Sequence, residues 1–344
     1  MDITKVLVVG KGFIGQQLST FLATDERLEV HQIESSQVNY RDYNTFVDFL
    51  RQYEEEGTGF DAIINAAGFT GEKNVDDAEK EKELVWLLNT VLPTTLASAA
   101  QACNVPSFFN ISSGCIFTGY TKPDPYVGYT EEEVPNFGLF DEDSSWYSKT
   151  KHAGELSLTS SFNCYNLRIR MPIGEIFHPK NLISKMLKYE TVLDEDNSAT
   201  YMFDLMNFVY NAILAPPPFG IYNIVSSNVF NSKDLFTAFN NNKEELIQEG
   251  LLPKGWSLEN IKFIKEKAFY KKGVTAVKRS NCILNNTSAS DLKLHEFTDV
   301  SHDFLDKVVK GYIENKKTME AQPDNVVDIE EIQGAKEPRK DEDI

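Results

Sequence analysis

The fold is decided near the start of the chain, by the stretch KVLVVGKGFIGQQLSTFL at residues 5–22. Four consecutive apolar residues, Val6 to Val9, predict a buried strand, and the helical periodicity that follows predicts an amphipathic helix. Between them, Gly10, Gly12 and Gly15 form the pattern GxGxxG in the context that this motif requires. Such glycines let backbone N–H groups approach a pyrophosphate at the helix N-terminus. The stretch therefore predicts a dinucleotide-binding unit, with a tight turn that only packs as the alternative.

Strands and helices alternate through the first half of the chain. Further strands are predicted at residues 28–33, 60–68 and 107–111, with helices between them at 43–53 and 78–103. This alternation predicts an α/β fold with a doubly wound parallel sheet of the Rossmann type. Gly220 to Val225 is predicted as a strand that rejoins the sheet after the alternation has ended.

Two residues give opposite indications about the cofactor. Glu34 ends the second strand about twenty residues after the glycines, where an acid accepts ribose hydroxyls and favours NAD. Lys11, inside the glycine turn, could instead contact a 2′-phosphate, which favours NADP. A solvated loop acid is an equal interpretation of Glu34. At the end of the third strand, Ala66, Ala67 and Gly68 leave room for a cofactor lying across the sheet.

A second motif lies in the middle of the chain, where Tyr147 and Lys151 are four residues apart. On a helix they project from one face, and a cation beside a phenol makes tyrosine a usable acid near neutral pH. The pair alone is weak, because roughly one Tyr-x-x-x-Lys is expected by chance in a chain with this composition. Its meaning depends on whether the fold places a cofactor beside it.

The glycine turn, NAAG at residues 65–68, Ser113, Tyr147 and Lys151 together resemble the extended short-chain dehydrogenases/reductases. Within them the closer resemblance is to the nucleotide-rhamnose synthase epimerase/reductases, which are related to dTDP-4-dehydrorhamnose reductase. The stretches that carry it are NAAGFTGEKNVDDAE (65–79), SSGCIF (112–117), EEVPNF (132–137), WYSKTK (146–151), LRIRMPI (167–173), HPKNLISKMLKYE (178–190), GIYN (220–223) and KRSN (278–281). The similarity extends from residue 5 to residue 314 and is weaker after residue 225.

The resemblance implies a catalytic set. Tyr147 would protonate a ketone oxygen, Ser113 would orient that oxygen, and Lys151 would hold the nicotinamide ribose and depress the pKa of the tyrosine. Cys115 and Lys185 match the two positions that the family uses as acid and base in epimerisation, and a simple reductase needs neither. The alternatives are a small buried residue for Cys115 and a solvated helix lysine for Lys185.

The resemblance also implies binding residues. Cofactor contacts are implied for Gly10, Lys11, Gly12, Phe13, Ile14, Gly15, Glu34, Ala66, Ala67, Gly68, Asn89, Tyr147 and Lys151. Asn89 would help to fix Lys151, although a helix asparagine is more often a local hydrogen-bonding residue. Substrate contacts are implied for Thr70, Asn181 and Arg279, the last through the nucleotide diphosphate, with a surface arginine as the alternative. The family favours NADP, with NAD possible, and suggests a homodimer.

Two departures from the family stand out. The glycine turn is one residue shorter than the usual GxxGxxG, so its pyrophosphate contacts can differ in detail. The segment from Gly138 to Ser145, GLFDEDSS, is longer and more acidic than the family pattern. It is predicted to bulge into solvent, and the alternative is a lid over the sugar. His178 is predicted to be structural or exposed.

Composition excludes several classes of function. A net charge of −18 argues against nucleic acid as the main partner. The four cysteines are scattered without metal-ligand spacing, so no metal is predicted and a reducing compartment is indicated. No apolar run has the length or flanks of a signal peptide or membrane span. These features predict a cytoplasmic protein.

The predicted domains are an NAD(P)-binding domain at 1–170, an intertwined substrate-binding lobe at 171–314 and a disordered acidic tail at 315–344. The predicted function is conversion of an NDP-4-keto-6-deoxyglucose to UDP- or dTDP-L-rhamnose, by 3,5-epimerisation and NAD(P)H-dependent 4-reduction. One alternative is a monofunctional dTDP-4-dehydrorhamnose reductase. The other is a non-catalytic regulatory subunit on the same fold, resembling the β subunit of methionine adenosyltransferase.

Overall fold

The computed structural model describes residues 3–55, 59–71, 75–123, 126–158, 163–271, 273 and 277–321. The strands are β1 (Thr4–Val9), β2 (Leu28–Ile33), β3 (Ala62–Asn65), β4 (Ser107–Ser113), β5 (Lys122–Pro123), β6 (Tyr126–Val127), β7 (Cys164–Ile169), β8 (Pro172–Ile173), β9 (Thr191–Leu193), β10 (Asp196–Asn197), β11 (Thr200–Tyr201), β12 (Gly220–Ile224), β13 (Phe230–Asn231) and β14 (Lys262–Ile264). The helices are α1 (Phe13–Leu22), α2 (Tyr43–Glu55), α3 (Val75–Ala78), α4 (Lys82–Trp86), α5 (Leu92–Ala102), α6 (Trp146–Ser157), α7 (Leu182–Met186), α8 (Met202–Leu214), α9 (Ser232–Asn241), α10 (Lys243–Gln248), α11 (Glu266–Lys271), α12 (Thr287–Asp291) and α13 (His302–Ala321).

Six strands of the described chain form a central sheet in the order β12-β7-β4-β3-β1-β2, and each neighbouring pair is parallel. Strand β1 lies between β2 and β3, with Val6 opposite both Val30 and Ala62. The chain therefore leaves β1 towards one edge and returns to build the other. A ligand crevice forms at the carboxyl ends of the strands where the order reverses in this way. The predicted doubly wound α/β fold is confirmed.

The sheet is covered on both faces because its strands are apolar on both sides. Val6 and Val8 face α1 and α8, whereas Leu7 and Val9 face α2 and α5. All four valine and leucine side chains are completely buried. Each such side chain contributes roughly 1.5–3 kcal/mol by leaving water. This packing fixes the glycine turn that follows Val9 at the edge of the crevice.

The predicted boundary between the two domains needs one correction. Helix α8 falls within the predicted lobe, yet its apolar face packs against α1 and the sheet. Phe208 of α8 is fully buried in that core, together with Phe297 from the far end of the chain. The first hydrophobic core therefore includes segments from the second half of the chain. These segments pack on the strands near β12, which the first half of the chain leaves uncovered.

A second hydrophobic core lies beyond β7 and is built mainly by α7, α9 and α13. Its last helix runs to Ala321, so the predicted tail does not begin at residue 315. The charged composition of residues 315–321 led to the prediction of a disordered tail in place of the last turns of this helix. Lys316, only 9% exposed, forms ion pairs with Glu249 and, one turn on, Glu320. Residues 322–344 lie outside the described residues.

The helix predicted at 78–103 is interrupted. Its regular part begins at Lys82, and a π-helical segment, Leu87–Val91, joins α4 to α5. Such segments occur often at functional sites, and this one carries Asn89. Within the described ranges, none of the helices combines the length and apolar character that a membrane crossing requires.

Candidate active site

The carboxyl ends of the central strands open into a cavity of about 620 Å³. Among the residues predicted from the sequence, its lining brings together Gly12, Phe13, Ile14, Ala66, Gly68, Thr70, Ser113, Cys115, Tyr147, Lys185 and Arg279. The predicted residues that are not part of the lining are Gly10, Lys11, Gly15, Glu34, Ala67, Asn89, Lys151 and Asn181. The glycine turn and the predicted catalytic residues Ser113, Cys115, Tyr147 and Lys185 therefore line one cavity.

The glycine turn is shaped by close packing. Gly10 has a φ of 102°, and a Cβ there would lie 2.9 Å from the backbone nitrogen of Ala67. A Cβ at Gly15 would overlap the carbonyl oxygen of Gly10. Gly12, in contrast, has no atom within 4 Å of its Cβ position and precedes the first turn of α1. The turn thus leaves open space at a helix N-terminus, which fits the pyrophosphate of a dinucleotide cofactor.

The two residues that give opposite indications about the cofactor contact each other. Lys11 Nζ lies 3.7 Å from Glu34 Oε1, and the two side chains are 41% and 47% exposed. An ion pair this exposed contributes little to stability. Because Lys11 and Glu34 are paired with each other, the geometry favours neither the NADP indication of Lys11 nor the NAD indication of Glu34.

Helix α6 begins where it does because its first turn is capped. Ser145 Oγ accepts a hydrogen bond from the backbone N–H of Ser148 at 3.1 Å. Ser148 Oγ donates in turn to the carbonyl oxygen of Cys115 at 2.8 Å. This bond ties the helix to the segment after β4. Tyr147 is consequently placed in the first turn, beside the cavity, with Lys151 one turn further on.

Tyr147 lies in a buried environment that favours its protonated form. Burial and the neighbouring Cys115 raise the pKa of Tyr147, and a hydrogen bond with Ser113 and the charge of Arg170 partly oppose this rise. Lys151 Nζ donates to the carbonyl oxygen of Ile111 at 3.2 Å. Burial lowers the pKa of Lys151, to about 8. Tyr147 therefore stays protonated at neutral pH, and the role of Lys151 in depressing its pKa stays a prediction.

Asn89 anchors the loop after β3. Its Oδ1 accepts from the backbone N–H of Phe69 at 2.9 Å, and its Nδ2 donates to the Phe69 carbonyl at 2.8 Å and to Thr150 Oγ1 at 3.3 Å. A Cβ at Gly68 would lie 3.3 Å from Asn89 Oδ1 and 3.2 Å from Lys151 Nζ. Asn89 therefore lies near the lysine but uses its amide locally.

Cys115 and Lys185, the two residues that distinguish an epimerase, reach the same cavity. Cys115 is 7% exposed, its backbone N–H donates to Ser113 Oγ at 3.3 Å, and burial raises the pKa of its thiol. Burial, followed by the charges of Lys180 and Arg279, lowers the pKa of Lys185 to about 8. Lys185 is therefore not a solvated helix lysine.

Two of the three predicted substrate residues line the cavity, and the third does not. Thr70 and Arg279 line the cavity, and Arg279 forms an ion pair with Asp76 at 2.8 Å. Asn181 is completely buried, and its Nδ2 donates to the Gly174 carbonyl at 2.7 Å while its Oδ1 accepts from Ile183 N–H. The assignment of Asn181 to the substrate is corrected, because its amide caps α7.

The acidic segment before α6 is solvent-exposed at its centre, as predicted. Phe140 is 79% exposed, and Asp143, itself exposed, forms an ion pair with Lys278, which lines the cavity. Ser144 Oγ donates to the carbonyl oxygen of Gly138 at 2.7 Å, which folds the segment back on itself. The segment therefore bulges into solvent and also contacts the second lobe beside the cavity.

The sequence analysis missed one residue of the site, Arg170, and gave His178 a structural role without its partner. Arg170 lines the cavity next to Cys115 and Tyr147, and the only signal was a basic residue directly after a buried strand. His178 stacks on Phe13 of the glycine turn, with ring centroids 5.0 Å apart, and burial lowers its pKa to about 4. In the part of the chain that the structure describes, no group of three or more His, Cys, Asp or Glu residues could hold a metal ion.

The parallel sheet, the glycine turn and the arrangement of Ser113, Tyr147 and Lys151 define an enzyme of the extended short-chain dehydrogenase/reductase class, whose relatives are sugar-nucleotide reductases and epimerases. The chain belongs to the RmlD substrate binding domain family, which it matches over residues 4–243. The resemblance inferred from the sequence is confirmed.

Individual proteins agree with this assignment. The bifunctional dTDP-4-dehydrorhamnose 3,5-epimerase/dTDP-4-dehydrorhamnose reductase of Arabidopsis thaliana is 31% identical over 261 residues, which are 74% of this chain and 78% of that protein. The UDP-rhamnose synthase of Acanthamoeba polyphaga mimivirus has the same fold, with a TM-score of 0.73 at 21% identity over 90% of this chain and 99% of that one. The dTDP-4-dehydrorhamnose reductase of Bacillus anthracis str. Ames, solved with NADP, gives a TM-score of 0.66 at 18% identity over 89% and 99%.

Proposed function

We propose that the chain converts a nucleotide-linked 4-keto-6-deoxy-D-glucose to the corresponding L-rhamnose nucleotide, by 3,5-epimerisation followed by 4-reduction with NADPH, or with NADH. The observation that carries this proposal is that Cys115 and Lys185 line the same cavity as Ser113 and Tyr147. Reduction alone requires an acid at the ketone oxygen, whereas epimerisation also requires groups that move protons at carbon. The Arabidopsis relative, whose name includes both activities, supports the assignment.

The charge of the cavity supports an anionic substrate. The basic side chains that line it are Arg170, Lys180, Lys185, Lys278 and Arg279, and Asp76 is the acidic one among the described lining residues. The whole chain, in contrast, carries a net charge of −18. A locally positive cleft in an acidic protein attracts a diphosphate and holds it through charge-assisted hydrogen bonds. We therefore assign the substrate to the nucleotide diphosphate sugars.

In the proposed epimerisation, the C4 ketone of the sugar makes the hydrogens at C3 and C5 acidic. Cys115 and Lys185 serve as the groups that remove and return these protons. With a pKa of about 8, Lys185 can exchange a proton near neutral pH. Negative charge develops on the ketone oxygen, where the protonated Tyr147 and Ser113 donate hydrogen bonds to it.

In the proposed reduction, the bound nicotinamide cofactor supplies hydride to C4. Gly12 and the N-terminus of α1 would hold the pyrophosphate, and Lys151 would hold the ribose. Tyr147 gives its proton to the C4 oxygen. The raised pKa of Tyr147 keeps this proton in place until the oxygen becomes basic enough to take it.

One experiment tests the proposal. The purified chain is incubated in D₂O with a 4-keto-6-deoxyglucose nucleotide and NADPH, and cofactor oxidation, deuterium at C3 and C5, and product stereochemistry are followed. Formation of deuterated L-rhamnose nucleotide by this chain alone is the expected result. No turnover, with or without a separate epimerase, contradicts the proposal and favours a regulatory subunit.

Cys115→Ala sharpens the test. It should remove deuterium uptake yet preserve reduction of a ketone that has already been epimerised. Cys103→Ala is the matched control, because Cys103 is 8% exposed, close to the 7% of Cys115, but belongs to a different hydrophobic cluster and does not line the cavity. If exchange survives Cys115→Ala, the role of this cysteine is wrong.

A reductase without epimerase activity is the second candidate. The observation that favours it is the burial of Cys115, which raises the pKa of the thiol and disfavours the thiolate that a base requires. This candidate predicts reduction of the epimerised ketone, no deuterium uptake, and an L-rhamnose product only when a separate epimerase is added.

A further inference from the structure

Arg170 is a buried cation without a carboxylate partner. It is 7% exposed, and no ion pair involves it among the described residues. Its Nη2 donates to Asn197 Oδ1 at 2.5 Å and to the Ser280 carbonyl at 3.0 Å, and its Nη1 donates to Ser280 Oγ at 3.2 Å. Its Nε is buried and has no hydrogen-bond partner. A buried charge is unfavourable unless it is compensated, so this arrangement calls for negative charge in the adjoining cavity.

The position of Arg170 shows where that negative charge would lie. A Cβ at Gly114 would be 2.9 Å from Arg170 Cγ and Cδ, so the arginine packs against the peptide that joins Ser113 to Cys115. Arg170, Cys115 and Tyr147 line the same cavity. The arginine side chain therefore lies against the segment that carries the Cys115 thiol, in the wall of the same cavity.

Several groups act on the Cys115 thiol. Burial raises its pKa, whereas the charges of Arg170 and Lys151 and the hydrogen bonds of Ser113 and Ser148 lower it. Lys151 lies on α6, one turn beyond Tyr147, and its own pKa is lowered to about 8. Of these two cations, Arg170 carries the planar guanidinium, whose hydrogen bonds hold it in place.

We propose that Arg170 is the fixed positive charge that stabilises the thiolate of Cys115 and then the enolate of the substrate. This inference rests on the proposed epimerisation. Cys115 Sγ takes a proton from the carbon next to the ketone, the C–H electron pair forms the C=C bond, and the carbonyl π electrons move to the oxygen. Negative charge passes from sulfur to oxygen inside one cavity, so its total does not change. A guanidinium held by its hydrogen bonds in the wall of the same cavity stabilises the charge without reorganising. Arg170 acts through its charge and exchanges no proton itself.

The test measures the titration of the thiol directly. In the full chain, the rate of Cys115 alkylation by iodoacetamide is followed against pH by peptide mass spectrometry. Arg170→Gln keeps a hydrogen-bonding side chain but removes the charge, and should move the alkylation midpoint to higher pH, with a rate about tenfold lower at neutral pH. Arg170→Lys should restore most of the rate. Arg279→Met is the control for the alkylation midpoint alone, because Arg279 lines the same cavity and its charge is paired with that of Asp76, and it should leave the midpoint unchanged.

Deuterium uptake at C3 and C5 is measured on the unaltered chain and on the two Arg170 variants, and should fall with the alkylation rate. An unchanged midpoint in folded Arg170→Gln overturns the proposal. If Arg170→Gln does not fold, Arg170→Lys provides the test, because lysine keeps the positive charge. An alkylation midpoint in Arg170→Lys that is shifted as far as loss of the charge predicts would contradict a role for charge. Absence of deuterium uptake in the unaltered chain refutes the proposed function itself, whereas normal uptake with an unshifted thiol refutes only the role of Arg170.

Discussion

Replacing Lys185 with methionine tests whether this lysine is retained for chemistry at the expense of stability. The ammonium lies in the cavity wall, where burial and the charges of Lys180 and Arg279 lower its pKa from 10.5 to about 8. Methionine keeps an unbranched apolar stem of similar length and removes the charge. We expect the variant to be more stable at neutral pH and inactive in deuterium exchange.

The size of the effect follows from the pKa. A tenfold change in proton affinity is worth about 1.4 kcal/mol, so a pKa lowered from 10.5 to about 8 corresponds to roughly 3 kcal/mol of lost stability in the protonated form. Lys185 is not completely buried, and solvent screening reduces the figure. We therefore expect Lys185→Met to raise the free energy of unfolding by about 2 kcal/mol at neutral pH.

The effect must depend on pH with a definite sign. Between pH 8 and pH 10.5 the unfolded lysine still binds a proton that the folded lysine has released. The free energy of unfolding of the unaltered chain therefore rises through this range, whereas that of the variant has no such term. The advantage of Lys185→Met should be present below pH 8 and should disappear as the pH approaches 10.5.

The assay is urea denaturation at about pH 7 and about pH 10, together with deuterium uptake at C3 and C5. Lys188→Met is the control, because Lys188 is an exposed lysine just beyond the end of α7 and its replacement should change stability by less than about 0.5 kcal/mol. A destabilised Lys185→Met protein at pH 7, or an equal gain at both pH values, would refute the electrostatic reasoning. Undiminished deuterium uptake would refute the catalytic role.

Three further variants test separate parts of the structure. Tyr147→Phe should lower the reduction rate by about 10²-fold or more while nucleotide-sugar affinity, measured by calorimetry, stays within about threefold, and a rate near normal contradicts its role as the acid. Gly15→Ala places a Cβ against the Gly10 carbonyl and should weaken NADPH binding, followed by cofactor fluorescence, by about tenfold, whereas unchanged affinity excludes the turn as the cofactor site. Glu155→Gln leaves Arg168, which is 2% exposed, without its charged partner, and should lower the urea-derived stability by about 3–5 kcal/mol; a loss under about 1 kcal/mol shows that the pair is not strongly coupled.

Much of the fold could be predicted because its signals are local. The apolar run before Gly10 and the glycine spacing specify a strand, a turn and a helix within twenty residues, and the repeated alternation specifies a parallel sheet. The family resemblance also selected Ser113, Cys115, Tyr147 and Lys185, which the structure brings to one cavity. These residues lie at ends of strands or in helix turns, where the direction of the chain follows from the element itself.

Other features could not be predicted because they depend on contacts between distant segments. Asn181 carries the residue type of a ligand-binding side chain, but complete burial commits its amide to backbone groups. The acidic segment before α6 contacts Lys278, more than a hundred residues away in the chain. The end of the last helix could not be predicted from its charged residues. Ion pairs such as that of Lys316 with Glu249 stabilise it, and they form only in the folded lobe.

The sequence by itself determined the class of fold and the candidates for the cofactor turn and the reacting side chains, because periodicity and motifs act over a few residues. Only the tertiary structure decided their protonation. Burial keeps Tyr147 protonated and lowers the pKa of Lys151 and Lys185 to about 8. It also placed the charge of Arg170 where it acts on the tyrosine. Desolvation and charge depend on distances in space, and those distances exist only once the two lobes have packed around the cavity.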